Sequence, residues 1–384
     1  MRVPDETSFP SRLRSAAVAA RVGLWLGICF GVAFLTGLVS HWAQVPDPPV
    51  PFPTRPAWGY RVTQGLHVAA GTAAVPLLLV KLYAVYPRLF TRPPRPRGEL
   101  VRHGLEKLGI AALVAAAVFQ LATGLANSAQ WYPWSFSFRA THYAVAWVAV
   151  GALLLHVAVK LPVIRTALGS PLESDVLDRE GTAAAAGGLS RRGLLRSTWL
   201  AAGVAVLATA GSTLPLLRRV SVLGVRSGDG PGGVPINKSA RAAGVTRSAT
   251  SAATRLTVTC DGREVVLSPA ELAAASDARE ELPIACVEGW SASGTWSGIR
   301  VRDLLDLVDA PPGRDVRVVS LQQRGPFRVT RLPAHFADDR RTLLATGLDG
   351  EPLALDHGYP CRIIAPNRPG VLQTKWVTRL EVLA

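Results

Sequence analysis

The stretch Leu282-Pro283-Ile284-Ala285-Cys286-Val287-Glu288-Gly289-Trp290-Ser291 decides how the C-terminal part of this chain is read. Leu282–Val287 has strand character, and Arg302–Val308, shortly after, predicts a short helix. No second soft ligand stands near Cys286, so the pattern is not that of a zinc site. A thiolate can still serve as the single soft ligand of a transition metal. On composition alone, a buried structural cysteine is the simpler reading.

Composition sets the frame around it. The chain has 384 residues, 49% of them hydrophobic, with 42 Lys+Arg against 27 Asp+Glu and a formal charge of +15. Charged residues make up only 18%, which argues against an ordinary soluble enzyme and against a disordered chain. A basic soluble protein would suggest nucleic acid. Here the apolar residues come in long runs, so the charge is read as that of a membrane protein and requires no nucleic acid. The four cysteines, Cys29, Cys260, Cys286 and Cys361, contain no C-x-x-C and indicate neither a disulfide framework nor a cysteine zinc site.

A membrane span needs roughly 20 apolar residues. Val22–Trp42, Leu66–Tyr86, Leu108–Leu125 and Tyr143–Ile164 meet that need, and Leu194–Leu217 predicts a fifth span. Basic residues crowd the N-terminal tail (Arg2, Arg12, Arg14, Arg21) and the second connection (Arg88, Arg92, Arg95, Arg97, Arg102, Lys107). The first connection has mainly Arg55 and Arg61, and the third only Arg139. The basic loops are expected in the cytoplasm of a multi-pass cell-membrane protein, which puts the N-terminus inside and the C-terminal domain outside. Pro-rich 44–60 and the aromatic run 131–134 fit the outer face. Segments 169–190 and 224–233 read as linkers. The expected division is 1–165 for a four-helix membrane domain, 166–220 for a cytoplasmic linker with the fifth span, and 221–384 for the extracytoplasmic domain.

Five histidines lie in the membrane half. His142 and His156 are 14 residues apart, roughly 21 Å along one helix and nearly on one face. That spacing suits two stacked hemes and resembles the four-helix di-heme b-type cytochromes over about residues 20–165. His67 and His142 make an outer ligand pair. For an inner pair, His156 finds only His103, which serves if the third helix starts early, near Glu99. Otherwise there is one outer heme, and His156 stands near a quinone or in the core. The position 14 after His67 is Lys81. His41 faces a quinone pocket or water.

The fifth span opens Ser190-Arg191-Arg192-Gly193-Leu194-Leu195-Arg196, which resembles a twin-arginine export signal and implies that machinery as a partner for a domain folded around its cofactor. The same residues also suit the positive flank of an ordinary span.

The C-terminal domain shows strand runs at Arg255–Cys260, Val316–Ser320 and Trp376–Val382 and turn pairs at Asp261-Gly262 and Asp349-Gly350, an α+β pattern. Its Cys286-Val287-Glu288-Gly289-Trp290 segment, with His357-Gly358-Tyr359-Pro360-Cys361-Arg362 and Gln373-Thr374-Lys375-Trp376, resembles the sulfite oxidase family of molybdopterin enzymes over about 236–384. The resemblance implies Cys286 as molybdenum ligand and catalytic residue, and His357 and Arg362 at the pterin and its phosphate. It implies Gln373, Thr374 and Lys375 in the phosphate loop, with Asn237 and Ser320 as further cofactor contacts. Cys361, at the motif's variable position, and Cys260 are expected to be structural. His335 lines the site or lies at the surface. The arginine-rich segment that binds sulfite in that family is not recognisable.

Together these features predict a membrane helical bundle followed by an α+β molybdopterin-binding domain of sulfite oxidase type. The expected enzyme passes electrons between membrane quinone and an outside substrate, through one or two b hemes. An S-oxide or N-oxide, free or protein-bound, would be reduced, as in systems where a membrane heme protein feeds an exported methionine sulfoxide reductase. A sulfite-type dehydrogenase running in reverse and a cofactor-free membrane-anchored binding protein are the alternatives.

Overall fold

The computed structural model describes residues 8–49, 51–175, 177–178, 188–224 and 230–384. Arg2, the Ala/Gly run at 181–187 and the centre of the second linker at 225–229 lie outside the described residues.

Among the described residues, four helices are long and apolar enough to cross a membrane. They are α1 (Ala16–Ala43), α2 (Gly59–Val85), α3 (Arg97–Ser128) and α4 (Phe138–Gly169). Each begins several residues before its apolar run, because hydropathy marks the apolar centre of a helix and not its ends. α3 starts directly after Pro96, and its first turns therefore include His103. Leu35, Leu79, Leu105 and Leu154 point outward and are exposed, as lipid-facing side chains would be.

The expected fifth span is helical only over α5 (Arg191–Thr209), 19 residues, and is not among those four. The Ser190 side chain caps its N-terminus by accepting from the Gly193 amide. The helix gives way to short 3-10 turns at Ala210–Ser212 and Pro215–Leu217, where Gly211 and Pro215 disfavour further α-helix.

The chain divides into two compact units. One holds Met1–Gly37, Leu66–Ala210 and Arg219–Leu223. The other holds Leu38–Gly65, Gly211–Arg218 and Gly224–Ala384. The second unit thus takes in the connection between α1 and α2, with the helix ends that flank it.

Two five-stranded sheets build the second unit. The first contains β1 (Leu256–Cys260), β2 (Arg263–Leu267), β5 (Val316–Ser320), β6 (Val329–Leu332) and β10 (Val377–Val382) in the order β2-β1-β10-β5-β6. Only β1 and β10 run parallel there. The second contains β3 (Ala278–Ala285), β4 (Ser291–Arg300), β7 (Leu343–Leu348) and β8 (Glu351–Pro352) in that order, with β9 (Arg362–Ile364) also paired to β7. The expected strands and the short helix, here α6 (Val301–Asp306), are all present to within a few residues. Val258, Val316, Val318 and Leu380 alternate inward on the first sheet, while Leu282, Trp296, Leu343 and Ile364 fill the second.

Candidate active site

β3 delivers Cys286 to a tight turn into β4. The Gly289 amide donates to the Cys286 carbonyl at 3.1 Å, and the Cys286 amide donates to the Trp290 carbonyl at 2.9 Å. Gly289 sits at φ 81°, a region open to glycine at little cost. The loop that follows β9 closes against this strand end. A Cβ on Gly370 would meet the Ala285 carbonyl at 2.9 Å, so only glycine fits.

The Cys286 side chain is fully buried, with Sγ 3.8 Å from Glu288 Oε2. The Trp290 indole N–H donates to the same carboxylate oxygen at 2.9 Å. Burial and the Glu288 charge push the thiol well above its ordinary range, against the opposing charge of Lys375. Without a cation the sulfur stays protonated; a bound metal would stabilise the thiolate.

β9 and the segment before β10 supply the cations. Arg362 and Lys375 face each other across a backbone bridge. Arg362 is 3% exposed and donates to the carbonyls of His357 (3.0 Å) and Gln373 (3.1 Å); its Nε has no partner. Its guanidinium lies over the Trp296 ring, 5.1 Å from the centroid. Lys375 donates to the carbonyls of Lys238 and Asp356, both at 2.8 Å. Neither cation forms a salt bridge to a carboxylate among the described residues. Burial holds Arg362 down to about 9, and burial with the Arg362 charge holds Lys375 down to about 7. Two desolvated cations with no carboxylate in salt-bridge contact among the described residues, and only the more distant Asp356 and Glu288 charges acting on Lys375, are costly, and an anion at this place would lower the cost.

His357 is also buried. Its Nε2 donates to the Val234 carbonyl at 2.9 Å, while Nδ1 has no partner. Burial, aided by the Arg362 and Lys375 charges, lowers its pKa to about 4, so the ring is neutral and Nδ1 is an unused acceptor.

The other expected contacts divide. Ser320 Oγ donates to the Lys375 carbonyl at 2.7 Å and so fixes the lysine backbone. The Gln373 side chain bonds the Ala365 amide and the Arg368 carbonyl, and Thr374 pairs with Thr330 at 2.9 Å. Both side chains are thus held by protein partners. Asn237 lies between Val234 and Lys238, whose carbonyls receive His357 and Lys375. Cys361 and Cys260 are core residues. His335 Nε2 meets the Phe52 carbonyl at 3.0 Å.

Several participants carry no signal in the motif. Arg368 is 2% exposed, lies over Phe336 and is held down to about 9 by burial. Gln64, near the start of α2, donates from Nε2 to the Cys286 carbonyl at 3.2 Å. Trp296 under Arg362 is visible in sequence only as a strand tryptophan.

Among the histidines of the first unit, the His67 and His142 rings meet with centroids 6.4 Å apart. His67 Nδ1 lies 2.8 Å from the Ala33 carbonyl, and His142 Nδ1 lies 3.0 Å from Thr123 Oγ1. A Cβ on Gly37 would stand 2.9 Å from His67 Cε1. No ring contact joins His103 to His156 among the described residues. Lys81 donates to the Ala19 carbonyl at 2.8 Å.

Comparison with known proteins accords with this geometry. Residues 243–384 match the family described as oxidoreductase molybdopterin binding domain. This stretch is similar to molybdopterin oxidoreductases, sulfite oxidases and nitrate reductases among them. The sulfite oxidase of Arabidopsis thaliana is 30% identical over 114 residues, 25% of this chain and 29% of the plant protein. A nitrate reductase of Mycosarcoma maydis is 33% identical over 116 residues, covering 24% of this chain and 12% of that one. A protein of Azospira oryzae named as the methionine-sulfoxide reductase subunit YedZ1 is 32% identical over 97 residues, 25% of this chain and 36% of its own length. The chain therefore spans well under half of each of these relatives.

Proposed function

We propose that this protein is a membrane-bound molybdenum oxidoreductase that reduces an S-oxide or N-oxide outside the cytoplasm with electrons from membrane quinol. The observation that carries the reading is the pair of buried cations Arg362 and Lys375, neither in a salt bridge among the described residues, beside a buried Cys286. A molybdopterin fits these residues. Its phosphate would satisfy the cations, its pterin ring could use the bare Nδ1 of His357, and its metal would take the Cys286 sulfur. The bound group supplies two-electron oxygen-atom chemistry, R2SO + 2e− + 2H+ giving R2S + H2O. The protein's part is to hold the thiolate, to neutralise the phosphate and to keep the site dry.

The electron supply is assigned to heme b between His67 and His142. His67 and His142 would hold the heme iron, which would carry one electron at a time. The 6.4 Å separation suits that, and each Nδ1 is engaged by a neighbouring helix, which leaves Nε2 for iron. A second heme at His103 and His156 has the helix it needs but no comparable ring pairing, so one heme is favoured. Five spans from a cytoplasmic N-terminus, with the catalytic domain outside, rest on the distribution of Lys and Arg. The twin-arginine reading remains part of the proposal. In the folded chain Arg191 is buried, pairs with Asp178 and donates to the carbonyls of Arg12, Leu172 and Ser174, so the signal would be read before folding.

The reductive direction is favoured by the likeness to the YedZ1 protein and by the missing sulfite-binding arginines. Sulfite oxidation remains the second reading, on the likeness to sulfite oxidase. A cofactor-free binding protein would have no use for two buried cations outside any salt bridge among the described residues. The deciding experiment reduces the purified protein with dithionite and follows heme reoxidation by sulfoxides and N-oxides. Reoxidation is expected; heme reduction by sulfite instead would reverse the direction.

A further inference from the structure

The segment between α1 and α2 is stitched to the catalytic domain at several points. The Arg331 amide donates to the Pro46 carbonyl (3.0 Å), Asn367 Nδ2 to the Pro53 carbonyl (2.7 Å), and Arg341 Nη2 to the Thr54 carbonyl (3.2 Å). The Asn367 amide donates to the Ala57 carbonyl (3.2 Å), and the Tyr60 amide to Asn367 Oδ1 (2.5 Å). Phe52 and Tyr60 pack against Ala285, one residue before the cysteine.

At the end of this seam Gln64 reaches the cysteine itself. Gln64 is 4% exposed and both ends of its amide are engaged: Oε1 accepts from Ser40 Oγ at 3.1 Å, and Nε2 donates to the Cys286 carbonyl at 3.2 Å. Flipping the amide would set an oxygen against that carbonyl, so the orientation is fixed. Thr213, from the segment after α5, donates to the Gly289 carbonyl at the other end of the same turn. The turn that presents Cys286 is therefore held from outside the catalytic domain's own strands.

We propose that Gln64 is a positioning residue for Cys286: its hydrogen bond to the Cys286 carbonyl sets the orientation of the sulfur toward the metal, with Thr213 as the second anchor of the turn. The proposal rests on the reading of Cys286 as the molybdenum ligand. Gln64 touches no substrate; it acts through the backbone of the residue that holds the metal. Positioning groups around a ligand tune a metal site as the ligands do.

The test uses the full-length protein extracted from membranes. Gln64→Glu keeps the shape and removes the donor, and Gln64→Met removes all polarity. Arg341→Gln cuts a contact elsewhere on the seam and controls for loosening of the segment as a whole. Three quantities are measured: molybdenum per chain, the Mo(V) electron paramagnetic resonance signal, and kcat and KM for dimethyl sulfoxide with reduced viologen as donor. Both Gln64 variants are expected to retain molybdenum, to shift the Mo(V) signal, and to lose about tenfold in kcat with KM within about twofold. Arg341→Gln should keep the wild-type signal. A wild-type Mo(V) signal in both Gln64 variants overturns the proposal, as does an equal shift in Arg341→Gln. Absence of molybdenum from the wild-type protein overturns the reading of Cys286 and this proposal with it. Molybdenum with an unshifted signal overturns this proposal alone.

Discussion

His67 on α2 and His142 on α4 set their rings 6.4 Å apart, and each is anchored through Nδ1 to a different third element, α1 for His67 and α3 for His142. All four long helices thus contribute to one place. His142→Ala is expected to remove most of the low-spin b-type absorption from purified membranes. Gly37→Val should do nearly as much by pressing on His67. An unchanged reduced-minus-oxidised spectrum in His142→Ala would refute the outer pair.

Cys286→Ser should abolish turnover of S-oxides, because a serine hydroxyl is a poor substitute for a soft thiolate at a transition metal. The measurement is activity normalised to folded protein, with molybdenum content alongside. Full activity would sink the assignment.

Arg362→Gln and Lys375→Met each remove one cation from the anion site. Charge-assisted hydrogen bonds are worth about 1.5–3 kcal/mol, so each change should weaken retention of the pterin by roughly 10- to 100-fold. Pterin released after gel filtration and fluorescent oxidation reads this directly. Arg317→Gln, which breaks an exposed pair with Glu381, serves as the neutral control.

Lys375 also predicts a pH dependence. Its folded value, about 7, is lower than that of an ordinary lysine, so in the cofactor-free protein the unfolded chain binds more protons between pH 7 and the ordinary lysine range. Stability of that form should therefore rise as pH increases through this window and be lowest, from this group, below about 7. A bound phosphate would raise the lysine value and flatten the curve. Thermal melts of cofactor-free and loaded protein from pH 6.5 to 9.5, roughly the window named, compare the two; identical slopes would contradict the assignment.

Some of this was readable from the chain and some was not. The strands were bounded by Asp261-Gly262 and Asp349-Gly350, whose positive φ values (45° and 86°, 53° and 91°) make them tight turns. The apolar runs marked four helices but not their ends, since hydropathy ignores polar residues that still favour helix; the early start of α3 at Arg97 is the result. Cys286, His357, Arg362 and Lys375 stood out because they share short motifs. Gln64 did not, because its partner is a backbone carbonyl 222 residues away and no local spacing reports that. Arg368 sits in a loop without periodicity. Gln373 and Thr374 belong to the motif, yet their side chains are spent on neighbouring protein groups, a distinction that only packing reveals.

The stitched segment between α1 and α2 also has a consequence in time. Asn367 is 314 residues downstream of Pro53, to which it bonds. At a synthesis rate of about 5–20 residues per second, the upstream half of the seam waits roughly 15–60 s for its partner. The contacts to Pro53 and Ala57 therefore form late, and a chain stopped short of Asn367 would leave that end of the seam open while Arg331 and Arg341 could still engage Pro46 and Thr54.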